Sequence, residues 1–130
     1  MTISEVLLAT CLLAAMEIPA HGADRVRGGQ WEVTLNVAGR SMVRPTCLTQ
    51  ADADAINGDA KSVRQYAERV SAQVGCKVND VKINGNQVTV TSVCASGKEN
   101  VGTTTYHGDS YEAVNTNGTQ SRAKWVGACK

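Results

Sequence analysis

A chain of 130 residues with 13 basic and 12 acidic side chains, five Cys, two His and no Phe has room for one small domain and little of the chemistry that catalysis draws on. Near-neutral charge removes the electrostatic footprint of a nucleic-acid binder, and two Trp with three Tyr make a poor base-stacking platform, so nucleic acid is not an expected partner. A domain of this size buries a smaller share of its surface than a large one and gains from cross-links.

Val6 to Ala15 reads VLLATCLLAA, followed by Met16-Glu17-Ile18-Pro19 and the small residues Ala20-His21-Gly22-Ala23. Ten uncharged and mostly apolar residues are too few to span a bilayer but suit the core of a signal peptide, although the first five residues carry no Lys or Arg. Residues 1–22 are therefore expected to be an export signal cleaved after Gly22 or Ala23, leaving 23–130 as a single exported α+β domain. Leu8-Ala9-Thr10-Cys11 is only a faint lipoprotein box, because Thr10 is a poor residue before a lipidated Cys and the apolar run continues past it. Removing this segment takes away Glu5 and Glu17 and no base, so the remaining domain has 13 basic and 10 acidic residues, a net charge of +3.

Gln30 to Val37 alternates Trp31, Val33, Leu35 and Val37 with polar residues, which predicts a half-buried strand. A second short strand is expected from Ser41 to Arg44, turned by Ala38-Gly39-Arg40 and stopped by Pro45. Thr49 can cap a short helix whose first turn holds Asp52. Val63, Tyr66 or Ala67, Val70 and Val74 recur at helical spacing and predict a helix from Asp59 to Val74 that Gly75 ends. Cys76 to Cys94 carries two β-branched arms around Asn84-Gly85-Asn86, a hairpin signal. Val101 to His107, Ser110 to Asn115 and Gln120 to Val126 are strand-like runs separated by Gly108-Asp109 and Asn117-Gly118, which indicates an antiparallel meander. The expected architecture is a curled antiparallel sheet of about six or seven strands with one or two helices inserted near its start.

Cys47, Cys76, Cys94 and Cys129 follow the signal, an even count that predicts two disulfides in an oxidising compartment. Spacings of 29, 18 and 35 residues supply neither the close pairs of a zinc site nor a C-x-x-C redox motif. Of the three connectivities, Cys47 with Cys76 and Cys94 with Cys129 is preferred, since each closes a loop worth roughly 3.5 to 4 kcal/mol by chain entropy. The competitor pairs Cys76 with Cys94: a three-residue loop at Asn84-Gly85-Asn86 puts Ile83 opposite Gln87 and, seven steps back, Cys76 opposite Cys94.

His107 is the sole His beyond the signal, and Asp109 and Ser110 beside it lack the spacing of a nucleophile with a base and an orienting partner. Acidic residues are scattered singly, and there is no P-loop or dinucleotide glycine pattern. No catalytic residue, metal site or cofactor is predicted. Trp31, Tyr106, Tyr111 and Trp125 are the residues best able to line an apolar pocket or anchor a partner. In a Val-dominated core without Phe, their competing role is to supply volume.

Gly29-Gln30-Trp31-Glu32-Val33, Cys47-Leu48-Thr49 before a helix, Cys76-Lys77-Val78 opening a Gly85-centred hairpin that closes at Cys94, Tyr106-x-Gly108-Asp109-Ser110-Tyr111, and Gly127-x-Cys129 follow one another over residues 28–130. In this order they resemble the bacterial family called domain of unknown function 3617. The resemblance implies a small exported protein of a Gram-negative bacterium without an assigned activity, and it supplies no catalytic residues. Family members often carry Met- and Pro-rich stretches around the first Cys and after the last hairpin. Met42 and Pro45 remain of these here, and no Met follows Gly118.

These readings lead to a non-enzymatic periplasmic or secreted protein, expected to be a monomer without a transmembrane span. Its sheet face would bind a small apolar ligand, an envelope component or a partner protein. The alternative is a disulfide-stapled hydrolase inhibitor, similar in kind to lysozyme inhibitors, that inserts the loop His107 to Tyr111.

Overall fold

The computed structural model describes residues 24–130, so the proposed signal, with Cys11 and its cleavage site, lies outside the described residues. Strands β1 (Gly29–Val37) and β2 (Arg40–Leu48) form a hairpin, helices α1 (Gln50–Asn57) and α2 (Ala60–Gln73) follow, and β3 (Lys77–Asn84), β4 (Gln87–Val93), β5 (Glu99–Tyr106), β6 (Ser110–Asn115) and β7 (Gln120–Gly127) complete the chain. All seven strands pair antiparallel in the order β2-β1-β7-β6-β5-β4-β3, and the sheet does not close. The expected α+β architecture is the observed one. First and last strands meet through Trp31 opposite Trp125 and Val33 opposite Ala123, which leaves β2 and β3 as the two edges. The helices connect those edges across one face.

Both helices begin where the sequence places them. The Thr49 hydroxyl accepts the Asp52 N–H at 3.1 Å, and the Asp59 carboxylate accepts that of Ser62 at 2.9 Å. Arg69 of α2 pairs with Asp52 of α1. Past α2 the chain reverses at Gly75 (φ 74°).

Three expectations need correction. β2 runs through Pro45, which pairs with Glu32, to Leu48. Proline lacks the N–H that a second neighbour would require, but β2 has β1 on one side only, and an edge strand tolerates that loss. The disulfides join Cys47 to Cys129 and Cys76 to Cys94. Cys47 sits opposite Gln30, whose other neighbour is Gly127, so the tail beyond β7 brings Cys129 over β1 to Cys47. Cys76 and Cys94 lie one step past the Lys77–Val93 pair that ends the β3–β4 ladder.

The register of that ladder differs from the expected one. Asn84 pairs with Gln87 around a two-residue turn in which Gly85 (φ 59°) takes the first central position, as a type II′ turn demands. The register then shifts between Val78 and Asp80, where Asn79 is inserted as a bulge. One residue is lost at the turn and recovered at the bulge.

The segment before β1 is part of the fold. Val26 forms a parallel bridge to Gly108, its N–H donates to Asn57 Oδ1 at 2.9 Å, and its carbonyl accepts from Asn57 Nδ2 at 2.8 Å. Arg25 is buried, and its guanidinium donates to the carbonyls of Gly85 (2.9 Å), Ile56 (2.8 Å) and Gly58 (3.1 Å). The indoles of Trp31 and Trp125 donate to the carbonyls of Arg27 and Gly28 at 2.8 and 3.0 Å.

Arg25→Met is expected to lower stability by about 3 kcal/mol, because three carbonyls lose a charged donor, with Arg25→Lys recovering part of the loss; urea titration measures both. The Cys47–Cys129 bridge spans 82 residues and Cys76–Cys94 spans 18. Serine replacement of the first pair is expected to cost about 1 kcal/mol more than replacement of the second, read by denaturant midpoints. Peptide mapping without reductant is expected to recover both native pairs.

Candidate functional site

All five aromatic residues of the chain gather in one cluster. Trp31 (2 % exposed) lies in the core with Val26, Ala53, Ile56 and Ala123, and Tyr66, Tyr106, Tyr111 and Trp125 pack against them. The Tyr111 ring centroid stands 5.4 Å from that of Trp31 and 5.7 Å from that of Tyr106. Trp125 is partly covered by the Arg27 guanidinium, 3.6 Å from its ring centroid. The four aromatics singled out from the sequence are thus brought together, chiefly as packing. Tyr66 joins them from α2, and its place in the α2 apolar stripe was the signal for it.

Beside this cluster, α2 and the sheet flank a cavity of about 230 Å³ that is open to solvent on one side. Its helical wall is mainly apolar: Ile56 at the end of α1, then Val63, Ala67 and Val70 of α2, with Ser71 following. The sheet wall changes character along the strands. Tyr106 lines one end with Tyr66, the Val88–Thr104 pair and Val90 follow, and Ser92, Asn100 and Asn115 line the other end. Ser92 and Asn100 are directly paired across β4 and β5, and Asn115 faces Gly102 across β5 and β6. Val70, 41 % exposed, stands where the lining meets solvent.

Two of the polar residues depend on a glycine. A Cβ at Gly102 would stand 2.5 Å from Asn115 Oδ1, so only glycine lets that amide lie over β5, where it accepts from Asn100 Nδ2 at 3.4 Å. Of the cavity's polar lining, sequence reasoning had singled out Tyr106 alone. Ser92, Asn100 and Asn115 reach one place through the β4–β5–β6 register, which has no local signature.

His107, Asp109 and Ser110 do not converge. His107 Nε2 lies 3.5 Å from Glu112 Oε1, and Asp109 pairs with Arg27 at 3.7 Å, all four side chains being well exposed. The turn is held by Gly108 N–H to the Arg25 carbonyl (3.0 Å) and Trp125 N–H to the Asp109 carbonyl (2.8 Å). Among the described residues, no three His, Cys, Asp or Glu side chains are grouped to hold a metal.

An open seven-stranded antiparallel sheet, crossed by two helices and stapled by two disulfides, defines a small α+β protein of a kind suited to oxidising compartments. The chain belongs to the family described as Protein of unknown function (DUF3617), which it matches over residues 26–129. That span runs from the strap before β1 to the last disulfide cysteine. No curated protein and no solved structure matches the chain. No helix among the described residues is long and apolar enough to cross a membrane.

Burial raises the phenol pKa of Tyr106, and the neighbouring Tyr66 and Tyr111 add to it; burial likewise raises Tyr66 and Tyr111. A phenol whose pKa is raised by folding stays protonated in the native state when the unfolded chain has begun to ionise. Its contribution is complete below pH 10 and is lost as pH rises above that value. Stability is therefore expected to fall progressively above pH 10, with tyrosinate absorbance near 295 nm rising together with loss of the near-ultraviolet circular dichroism of the Trp31 cluster. Ionisation of all three phenols below pH 10 with the fold intact would contradict the packing described.

Proposed function

We propose that this protein is an exported, non-enzymatic binding protein of the periplasm or extracellular space. It takes a small, largely apolar ligand into the cavity between α2 and β4–β6, the ligand being free or part of an envelope component. The observation that carries this reading is the two-sided cavity: a mainly apolar helical wall faces strands on which Ser92, Asn100 and Asn115 are grouped at one end, with Thr104 and the Tyr106 phenol toward the other. Binding sites for small molecules combine an apolar lining with a few placed polar groups in this way. The apolar segment of residues 6–15 and the two disulfides support export.

The inhibitor reading has less to stand on. Of the loop His107 to Tyr111, Tyr111 turns into the aromatic cluster, leaving His107 and Asp109 as the exposed side chains. Both face partners of their own chain, Glu112 and Arg27.

Native mass spectrometry of unreduced protein from the host periplasm tests the proposal. The expected spectrum shows a chain beginning at Ala23 or Asp24, two disulfides and a bound small molecule. Ala67→Leu places extra methyl groups in the cavity and is expected to reduce ligand occupancy at least tenfold while the circular dichroism is retained. A ligand-free spectrum in the native host, or undiminished occupancy in the variant, would sink the reading.

A further inference from the structure

We propose that the cavity selects uncharged ligands: a neutral amphiphile of about ten heavy atoms, whose apolar body lies along α2 and whose hydroxyl or amide meets the Ser92–Asn100–Asn115 end. This rests on the binding reading above and narrows it to a chemical class.

Three observations converge on it. None of the described residues lining the cavity is an Asp, Glu, Lys, Arg or His. An ion entering it gives up hydration and finds no opposite charge, which is the costly case for burial of a charged group. Arg25 acts electrostatically on Tyr106 at the aromatic end, but its guanidinium is committed to the carbonyls of Ile56, Gly58 and Gly85. It is held as a structural donor and is turned to those carbonyls.

The polar end offers neutral donors and acceptors together. Ser92 is a nearly buried hydroxyl (7 % exposed) on a face otherwise given to valine, and beside it two side-chain amides are joined across β5 over Gly102. Amides and hydroxyls both give and receive hydrogen bonds. They pair fully with an alcohol or an amide, whereas a carboxylate has acceptors only and an ammonium donors only.

Size gives the third constraint. An apolar cavity of about 150 Å³ accommodates benzene, so the cavity of about 230 Å³ has space for a ring and a short tail.

The test titrates the disulfide-bonded protein at pH 7 with 3-phenylpropan-1-ol, 3-phenylpropanoate and 3-phenylpropylammonium, which share one body and differ in the end group, followed by amide chemical shifts. The alcohol is expected to bind at least tenfold tighter than either ion, with shifts centred on α2, β4 and β5. Ser92→Ala and Asn115→Ala are each expected to weaken the alcohol at least threefold; two variants on different strands guard against one that fails to fold. Equal or tighter binding of either ion would overturn the proposal while leaving the cavity as a binding site. Alcohol affinity unchanged in both variants would overturn the assignment of the polar end. Failure of all three probes overturns the ligand class, and the bound mass in the native spectrum decides separately whether the binding reading falls with it.

Discussion

The four residues Arg25 to Gly28 hold elements that have no other reason to meet. Helix α1 ends with carbonyls lacking intrahelical partners and has no basic residue in its last turn. Arg25 supplies the missing cation from outside the helix, donating to Ile56 and Gly58, and with its Nε it also fixes the β3–β4 turn at Gly85. Asn57 closes the same helix end by treating Val26 as a neighbouring strand, donating and accepting as a backbone would. The strap further takes both indole N–H groups, so neither Trp buries an unpaired donor. Without it, one helix end, one turn and two aromatic side chains would each need another partner.

This concentration matters because the core is lean. With no Phe, large apolar volume comes from five aromatics contributed by β1, α2, β5, β6 and β7, and all five lie in one cluster next to the strap. Among the described residues the remaining buried apolar positions are Val, Ala and a single Ile. A core assembled from one cluster of large side chains and a surround of small ones leaves long-range closure to covalent bonds. The two disulfides sit accordingly: one ties edge strand β2 to the chain end across β1, and the other closes β3 and β4 where α2 arrives.

Local features of this fold are legible in the sequence, and non-local ones are not, for physical reasons visible at particular residues. Thr49, Asp59 and Gly75 bound helices because caps and left-handed glycines act within a turn of chain. The hairpins are legible from their turns. The pairing of β1 with β7 carries no such mark, and with it goes the Cys47–Cys129 bridge, since Cys129 reaches Cys47 only after β7 lies beside β1. Ranking connectivities by loop entropy weighs the unfolded chain and says nothing about which sulfurs meet in the native one. The second-ranked pair, Cys76 with Cys94, was expected from a three-residue loop; the structure reaches the same pairing from a two-residue turn and a bulge at Asn79, two one-residue changes that cancel. Of the candidate site, the aromatic residues were legible as large side chains in a sequence poor in them. The polar end was not, because Ser92, Asn100 and Asn115 belong to three strands and look like ordinary strand and turn residues until the register aligns them.

The cavity follows from the same topology. With β2 and β3 at opposite edges, the chain between them has to cross the face of the sheet. α1 settles on Trp31 and Ala123, while α2 leaves it to reach β3 and the Cys76–Cys94 bridge. Over β5 the facing residues are small on both sides, Ala67 and Ser71 on the helix and Gly102 and Thr104 on the strand, so the layers do not fill the space between them. A Leu or Phe at one of these positions would gain dispersion contacts that the empty volume forgoes. The aromatic side chains able to do this are instead collected toward the strap, where they are packed and hydrogen-bonded. Cohesion is thus concentrated toward the strap, and the unfilled, uncharged volume lies beside it, bordered by Ile56, Tyr66 and Tyr106 of the same cluster.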